Sequence, residues 1–287
     1  MSKMYKALSP GAIGVNAKGI EGAIAAAKIG GFKGVEFSPQ EVADRIEHEG
    51  ADKIKALFED AEVIPACFGL PTEWRGDSET FEKSLMELPR LAAAASDLGC
   101  RRTATWIMPC SDTLEFDANY AFHVERFRPI AATLNEFGIS LGLEFIGTQT
   151  LRESQKYPFI YTMNEMLKMG SEIGGNVGLL LDLWHLYTSG GTNVDIEAVL
   201  PERIVYVHVN DAPAGVPREE LLDGVRDLPG ATGVMDVKGF LQTLQKIGYV
   251  GPVTAEPFAK SLKELPDDEA RLKMVGESMS RIFTALD

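Results

Sequence analysis

The chain predicts an eight-stranded α/β barrel, and three observations carry that expectation. Short apolar segments alternate with amphipathic ones eight times along 287 residues. Glycines stop most of the amphipathic segments. The apolar segments of the second half end in charged or imidazole side chains instead of fading into polar loops. Eight strands alternating with eight helices in roughly 250 to 290 residues is the count of a (β/α)8 TIM barrel. An open doubly wound sheet normally has fewer strands, and no GxGxxG follows a strand here. No linker or low-complexity stretch interrupts the pattern, so residues 1–287 read as one domain.

Taken in order, residues 7–15 form the first apolar run, followed by a helix-like 20–29 closed by Gly30-Gly31. Residues 34–37 read as the second strand and 40–59 as one charged amphipathic helix. The third strand is 63–70. Helix 78–98 opens on Ser78, with Phe81 and Leu85 on one face. Strand 103–108 precedes helix 120–137, which stops at Gly138. Strand 139–145, a loop with Tyr157-Pro158, and helix 164–173 follow. The sixth strand is the run Gly178 to His185, GLLLDLWH. A short helix near 195–200 leads to strand 204–209, then a long polar loop, helix 237–247, strand 252–256 and a closing helix 268–286.

Bulk properties exclude some functions. A net charge of −14 with no cluster of basic residues opposes nucleic-acid binding, which needs a basic face. Three cysteines, Cys67, Cys100 and Cys110, without a CxxC, suggest reduced thiols and a cytoplasmic protein. The N-terminus runs into Gly and Pro, so no signal peptide is expected. No apolar run reaches the ~18–20 residues of a membrane span.

Asp182 closes the sixth run, and a buried carboxylate is very costly unless it is ion-paired or bound to a metal. The last four strands end in Glu144, Asp182, His208 and Glu256, each about one βα unit from the next. In a barrel such positions meet at the C-terminal face, where active sites lie. Side-chain alternation puts Ser140, Gly142 and Glu144 on one face of the fifth strand and Leu141, Leu143 and Phe145 on the other. Thr254 and Glu256 share a face in the eighth. Both glutamates are therefore expected to point inward. Three unneutralised acids would repel and raise one another's pKa values, and a divalent cation resolves this. The alternative is that each acid pairs separately with Arg or Lys. Oxygen-rich ligands with one nitrogen suit Mn²⁺ first, and also Mg²⁺, Co²⁺ or Zn²⁺.

The residues Leu143-Glu144, Leu181-Asp182-Leu-Trp-His185, His208-Val-Asn-Asp211 and Thr254-Ala-Glu-Pro257 resemble the motifs of the xylose isomerase-like TIM barrel superfamily. That superfamily takes in sugar phosphate isomerase/epimerases, ketose 3-epimerases and inosose isomerases and dehydratases. The resemblance implies one divalent metal held by Glu144, Asp182, His208 and Glu256. It also implies that the two glutamates shuttle a proton and that His185 contacts the substrate. The implied activity is isomerisation or epimerisation of a sugar, keto-sugar or cyclitol through a metal-stabilised enediolate. A lyase on the same centre, dehydrating a keto-cyclitol or eliminating from a 3-keto-glycoside, is the alternative. The endonuclease IV-like branch uses more histidines than the four here, and its DNA substrate does not suit the charge. A sugar- or metal-binding barrel without catalysis is the non-enzymatic alternative. Relatives are often dimers or tetramers, which makes a homo-oligomer an expectation.

Other residues carry open readings. His185, with the catalytic Glu144 and Glu256, is expected in the loop after Asp182, either on a substrate oxygen or satisfied in the core. Arg218, in the loop 211–227, would reach a hydroxyl or phosphate, or else be a solvated charge. Trp106 would wall the substrate, or only pack. Glu36 points inward by parity with Gly34, its role open. Asp211 is expected to orient a ligand from behind. His48 and His123 are expected on the surfaces of helices.

Overall fold

A computed structural model describes residues 4–286. Eight parallel strands close into a barrel: β1 (Tyr5–Leu8), β2 (Gly34–Glu36), β3 (Ile64–Gly69), β4 (Arg102–Ile107), β5 (Ser140–Phe145), β6 (Val177–Asp182), β7 (Ile204–Val209) and β8 (Pro252–Ala255). Each pairs with its neighbours in chain order, and β1 pairs with β8 to close the ring. The outer layer contains α1 (Gly19–Gly30), α2 (Pro39–Glu49), α3 (Ala51–Ala61), α4 (Ser78–Asp97), α5 (Phe116–Glu136), α6 (Met163–Ile173), α7 (Leu183–Thr188), α8 (Val237–Ile247) and α9 (Asp268–Thr284). Among the described residues, no helix is long and apolar enough to cross a membrane.

Strand parity holds where it was tested. Leu141, Leu143 and Phe145 of β5 and Val253 and Ala255 of β8 join the large apolar cluster between sheet and helices. A separate small cluster of Cys67, Ala104, Leu180 and Tyr206 fills the barrel interior. Small inward residues are required there. A Cβ on Gly142 would stand 2.9 Å from the Leu180 nitrogen, and one on Gly178 would stand 2.2 Å from the Arg203 carbonyl oxygen. The three cysteines are buried free thiols.

Several boundaries differ from the sequence reading, each for a local reason. The first strand ends at Leu8, because Ser9-Pro10-Gly11 turns the chain into a short 3₁₀ turn, Gly11–Ile13. The charged helix 40–59 is two helices. Gly50 takes φ +86°, a left-handed conformation that glycine adopts without Cβ strain, and the chain turns from α2 into α3 there. Helix α5 starts at Phe116 rather than Tyr120 and carries Pro129 inside it. The sixth strand stops at Asp182, so His185 lies on α7 and not in a loop. The short helix near 195–200 runs Asn193–Glu197. A small antiparallel pair, Cys110–Ser111 with Tyr157–Pro158, laces the loops after β4 and β5 together.

His48 is exposed, as expected, but His123 is not. His123 is 4% exposed and its ring stacks 4.9 Å from Phe159, with Trp74 at 5.3 Å and Phe127 at 6.2 Å. Its Nδ1–H donates to the Asn119 carbonyl at 2.7 Å, which satisfies the ring's one donor. Burial lowers its pKa to about 4, so the imidazole is neutral. It packs as an aromatic residue, a use of histidine that helical spacing does not reveal.

Candidate metal centre

The barrel brings four side chains to one point. Asp182 and His208 are register partners on β6 and β7, and His208 is the partner of Thr254 on β8. Glu256 follows β8, where its N–H donates to the Val209 carbonyl and extends the ladder by one residue. Glu144 lies across β5 in register with Trp106 of β4. One potential ligand atom from each of Glu144, Asp182, His208 and Glu256 lies within 4.8 Å of the others. His208 Nδ1 is 3.7 Å from Glu144 Oε1 and 3.6 Å from Glu256 Oε2.

Two buried atoms facing this point have no hydrogen-bond partner, Glu144 Oε1 and His208 Nδ1; the ring's other nitrogen, Nε2, has none either. Buried polar atoms are normally paired. Orphans of two different residues facing the same acids are what a divalent ion would satisfy, so the donor set fits one. Burial pushes the Glu144 carboxyl well above the usual range, and the Glu256 charge adds to the push. Burial also works against charge on His208, but the carboxylates of Glu256, Glu144 and Asp182 outweigh it and lift the imidazole to about 10. Glu256 moves the other way, to about 2. There burial is overcome by His208 and the Arg226 guanidinium.

Asp182 is also the N-cap of α7, which explains its orientation. Its Oδ1 accepts the Trp184 N–H at 2.8 Å and the Asn210 amide at 3.0 Å, filling both lone pairs. Its Oδ2 therefore faces the centre. One turn on, His185 is buried, and the Gly147 backbone holds its ring. The Gly147 N–H donates to Nδ1 at 3.2 Å. The Arg226 guanidinium, which also can only donate, lies 3.4 Å from Nε2, so each ring nitrogen faces a donor. That Nε2 faces the acids, 4.0 Å from Glu144 Oε1 and from Asp182 Oδ2 and 3.7 Å from Asp223 Oδ1, too far for direct bonds. Burial lowers the pKa of His185 to about 3, so it remains neutral. Gly147 has to be glycine, since a Cβ would stand 2.3 Å from the His185 carbonyl oxygen.

The other expected residues divide. Trp106 stands at the mouth, 45% exposed, with the Arg75 guanidinium layered 4.2 Å over its ring and 3.9 Å over Trp74. Arg218 does not join the cluster. It is exposed in the turn Arg218–Glu220, 5.9 Å from the Tyr187 ring. Asp211 touches no ligand either. Its carboxylate accepts four backbone N–H groups, from Ala212 and Met235 on Oδ1 and from Thr232 and Gly233 on Oδ2. It clips the loop after β7 shut, and Asn210 is the neighbour that touches Asp182. Glu36 does face inward, accepting from Ser9 at 2.6 Å and from Tyr206 at 2.7 Å.

The clipped loop delivers a residue the sequence did not single out. Arg226 is 3% exposed, and its Nη1 donates to Asp182 Oδ2 at 2.7 Å and Glu256 Oε2 at 2.9 Å. Its Nε and Nη2 are tied to the Asp223 carbonyl and carboxylate at 2.9 and 3.0 Å. Two of the acids are thus ion-paired and also face the common point, so the ion-pair reading of Asp182 holds. Arg218 and Arg226 lie in one aperiodic loop, and only the clip decides which enters.

A closed parallel barrel with an acid–imidazole cluster at the C-terminal ends of its strands defines a class: TIM barrels equipped to hold a metal ion. The family model described as Xylose isomerase-like TIM barrel matches residues 24–281, and the chain belongs to that family. It is 27% identical to an inosose isomerase of Bacillus licheniformis over 155 residues, 52% of this chain and 51% of that protein. It is 34% identical to an inosose dehydratase of Glaesserella parasuis over 126 residues, 36% and 42% of the two chains. The matched region thus spans about half the length of these relatives or less. A xylose isomerase domain protein of Alicyclobacillus acidocaldarius superposes with a TM-score of 0.85 at 28% identity, covering 99% of both chains. The IOLI protein, in a structure with a zinc atom bound, gives 0.78 at 16% identity over 99% of both chains.

Proposed function

We propose that the protein is a divalent-metal-dependent isomerase or epimerase of a sugar, keto-sugar or cyclitol. The observation that carries this reading is the convergence of Glu144, Asp182, His208 and Glu256 within 4.8 Å at one end of the barrel. Those four residues would hold the ion, Mn²⁺ being the first choice for such a donor set. When bound, the ion supplies Lewis-acid stabilisation of negative charge developing beside a substrate carbonyl. Glu144 and Glu256 come from strands three apart in a ring of eight and so approach from different sides. One removes the proton next to the carbonyl and the other returns it to the opposite face or the neighbouring carbon. His185, its Nε2 aimed between the acids, contacts a substrate oxygen. Trp106 covers the apolar face of the ring. The carbohydrate activities of relatives support the substrate class.

A lyase is the second reading, favoured by the inosose dehydratase similarity. It needs the same proton removal, followed by loss of a β-substituent. The test is a screen of keto-sugars and inososes in D₂O by NMR, with and without Mn²⁺. An isomerase or epimerase incorporates one carbon-bound deuterium and gives an isomeric product, whereas a lyase gives a new alkene. Glu256→Gln keeps a ligating oxygen but lacks the base, so it should slow turnover by ~10²–10⁴-fold. Turnover with no solvent exchange and full retention of the substrate's own deuterium would refute both readings.

A further inference from the structure

Glu36 has no part in the reaction proposed above, and the role assigned to it here rests on the metal reading. It closes β2, and its carboxylate accepts the Ser9 hydroxyl on Oε2 at 2.6 Å and the Tyr206 hydroxyl on Oε1 at 2.7 Å. A carboxylate only accepts, so Tyr206 gives it its one proton, and the Tyr206 oxygen accepts in turn from Thr254 Oγ1 at 2.6 Å. These bonds cross the barrel interior from β2 through β7 to β8. Both residues beyond Glu36 lie beside candidate ligands. Tyr206, 1% exposed, precedes His208 by two residues and so shares its face of β7. Its ring meets the imidazole edge to face, with centroids 5.0 Å apart and 70° between the planes. Thr254 is the register partner of His208 and precedes Glu256 by two residues.

A histidine that ligates a metal normally has its second ring nitrogen hydrogen-bonded to a partner behind it, which fixes the orientation of the ring. His208 lacks that support, because neither of its nitrogens has a hydrogen-bond partner. Asp182, by contrast, is steadied by the Trp184 N–H and the Asn210 amide. The His208 imidazole has the Tyr206 ring against it instead, and that ring is anchored at its hydroxyl by Glu36 and Thr254, from two different strands. We infer that Glu36 is a positioning residue of the metal centre, anchoring through the Tyr206 hydroxyl the ring against which His208 is held. Without Glu36 the hydroxyl keeps only Thr254, on the neighbouring strand, and loses its tie across the barrel to β2. Partners behind a metal ligand are typically worth about 10–100-fold in affinity. A ring contact is a softer restraint than a hydrogen bond, so the lower end applies. The alternative is that Glu36 acts at a distance, its negative charge drawing the ion in. The two modes need different things. Positioning needs an acceptor for the Tyr206 proton, and attraction needs the charge.

The test is calorimetric titration of chelator-stripped full-length protein with Mn²⁺. Glu36→Leu should bind Mn²⁺ about tenfold more weakly than wild type. Glu36→Gln should stay near wild-type affinity, because its amide oxygen accepts from Tyr206 and its NH₂ donates to the Ser9 oxygen. Tyr206→Phe keeps the ring and loses the anchor, so it should match Glu36→Leu. Adding Glu36→Leu to Tyr206→Phe should then cost no further affinity, since both remove the same bond. Rescue by Gln together with this non-additivity is not what a residue that only stabilises the fold, or only attracts the ion, produces. Binding by Glu36→Leu equal to wild type overturns the inference. So does a loss in Glu36→Gln as large as in Glu36→Leu, or a further loss in the double variant. Should Glu36→Leu not fold by circular dichroism, Tyr206→Phe decides alone: affinity about tenfold weaker supports the inference, and affinity equal to wild type overturns it. Wild-type protein that binds no divalent ion overturns the metal reading itself, a result visible before any variant is made.

Discussion

Asp211→Asn would test whether the loop that carries Arg226 is held by one carboxylate. The substitution changes no volume. In the native protein Oδ1 accepts from Ala212 and Met235 at 2.9 and 3.0 Å, and Oδ2 from Thr232 and Gly233 at 3.0 and 2.8 Å. An amide has one acceptor oxygen, so either orientation leaves two backbone donors facing an NH₂ group. Asp211 is fully buried, and each donor left without an acceptor costs about 1–3 kcal/mol. The two surviving bonds also lose their charge assistance. About 3–5 kcal/mol of destabilisation follows, read as a lower urea midpoint at unchanged slope. Limited proteolysis should find new cuts between residues 212 and 236, and Mn²⁺ affinity should change because Arg226 is no longer seated. A loss under about 1 kcal/mol with a protease-resistant loop would refute the account. It would mean that the Asp211–Asp227 backbone bridge and the Thr232 bond to the Ala212 carbonyl suffice to hold the loop.

Two further outcomes are expected. His208→Ala removes the only nitrogen of the four-residue cluster, so metal content measured by atomic emission should fall sharply; full occupancy with unchanged activity would count against the site. His123 has a folded pKa of about 4, below the ordinary 6.5, so its burial stabilises the protein above the unfolded pKa and that contribution is lost as pH falls from about 6.5 to 4. The full span is worth ~3 kcal/mol, so a folded His123→Phe variant should lose less stability than wild type between pH 7 and 4. Identical pH slopes for the two proteins would show that His123 is not the titrating group.

The sequence by itself determined the barrel and the four-residue cluster, and the reason is periodicity. Strand and helix repeats recur at fixed lengths, strand side chains alternate with period two, and a C-terminal strand end in a barrel has one place to go. Glu144, Asp182, His208 and Glu256 could therefore be brought together before any coordinates. What lacks a period was not legible. The split at Gly50 depends on one backbone dihedral. The burial of His123 depends on Trp74 and Phe159, which are distant in sequence. Arg226 rather than Arg218 enters the centre because Asp211 gathers four backbone N–H groups of an irregular loop, a contact set that only the closed tertiary structure assembles. The orientation of the His185 ring likewise depends on the backbone of Gly147, on the neighbouring βα loop. Local patterns fixed where the acids are. Long-range hydrogen bonds decided which arginine pairs with them and how the imidazole is held, because those bonds join segments with no sequence relation to one another.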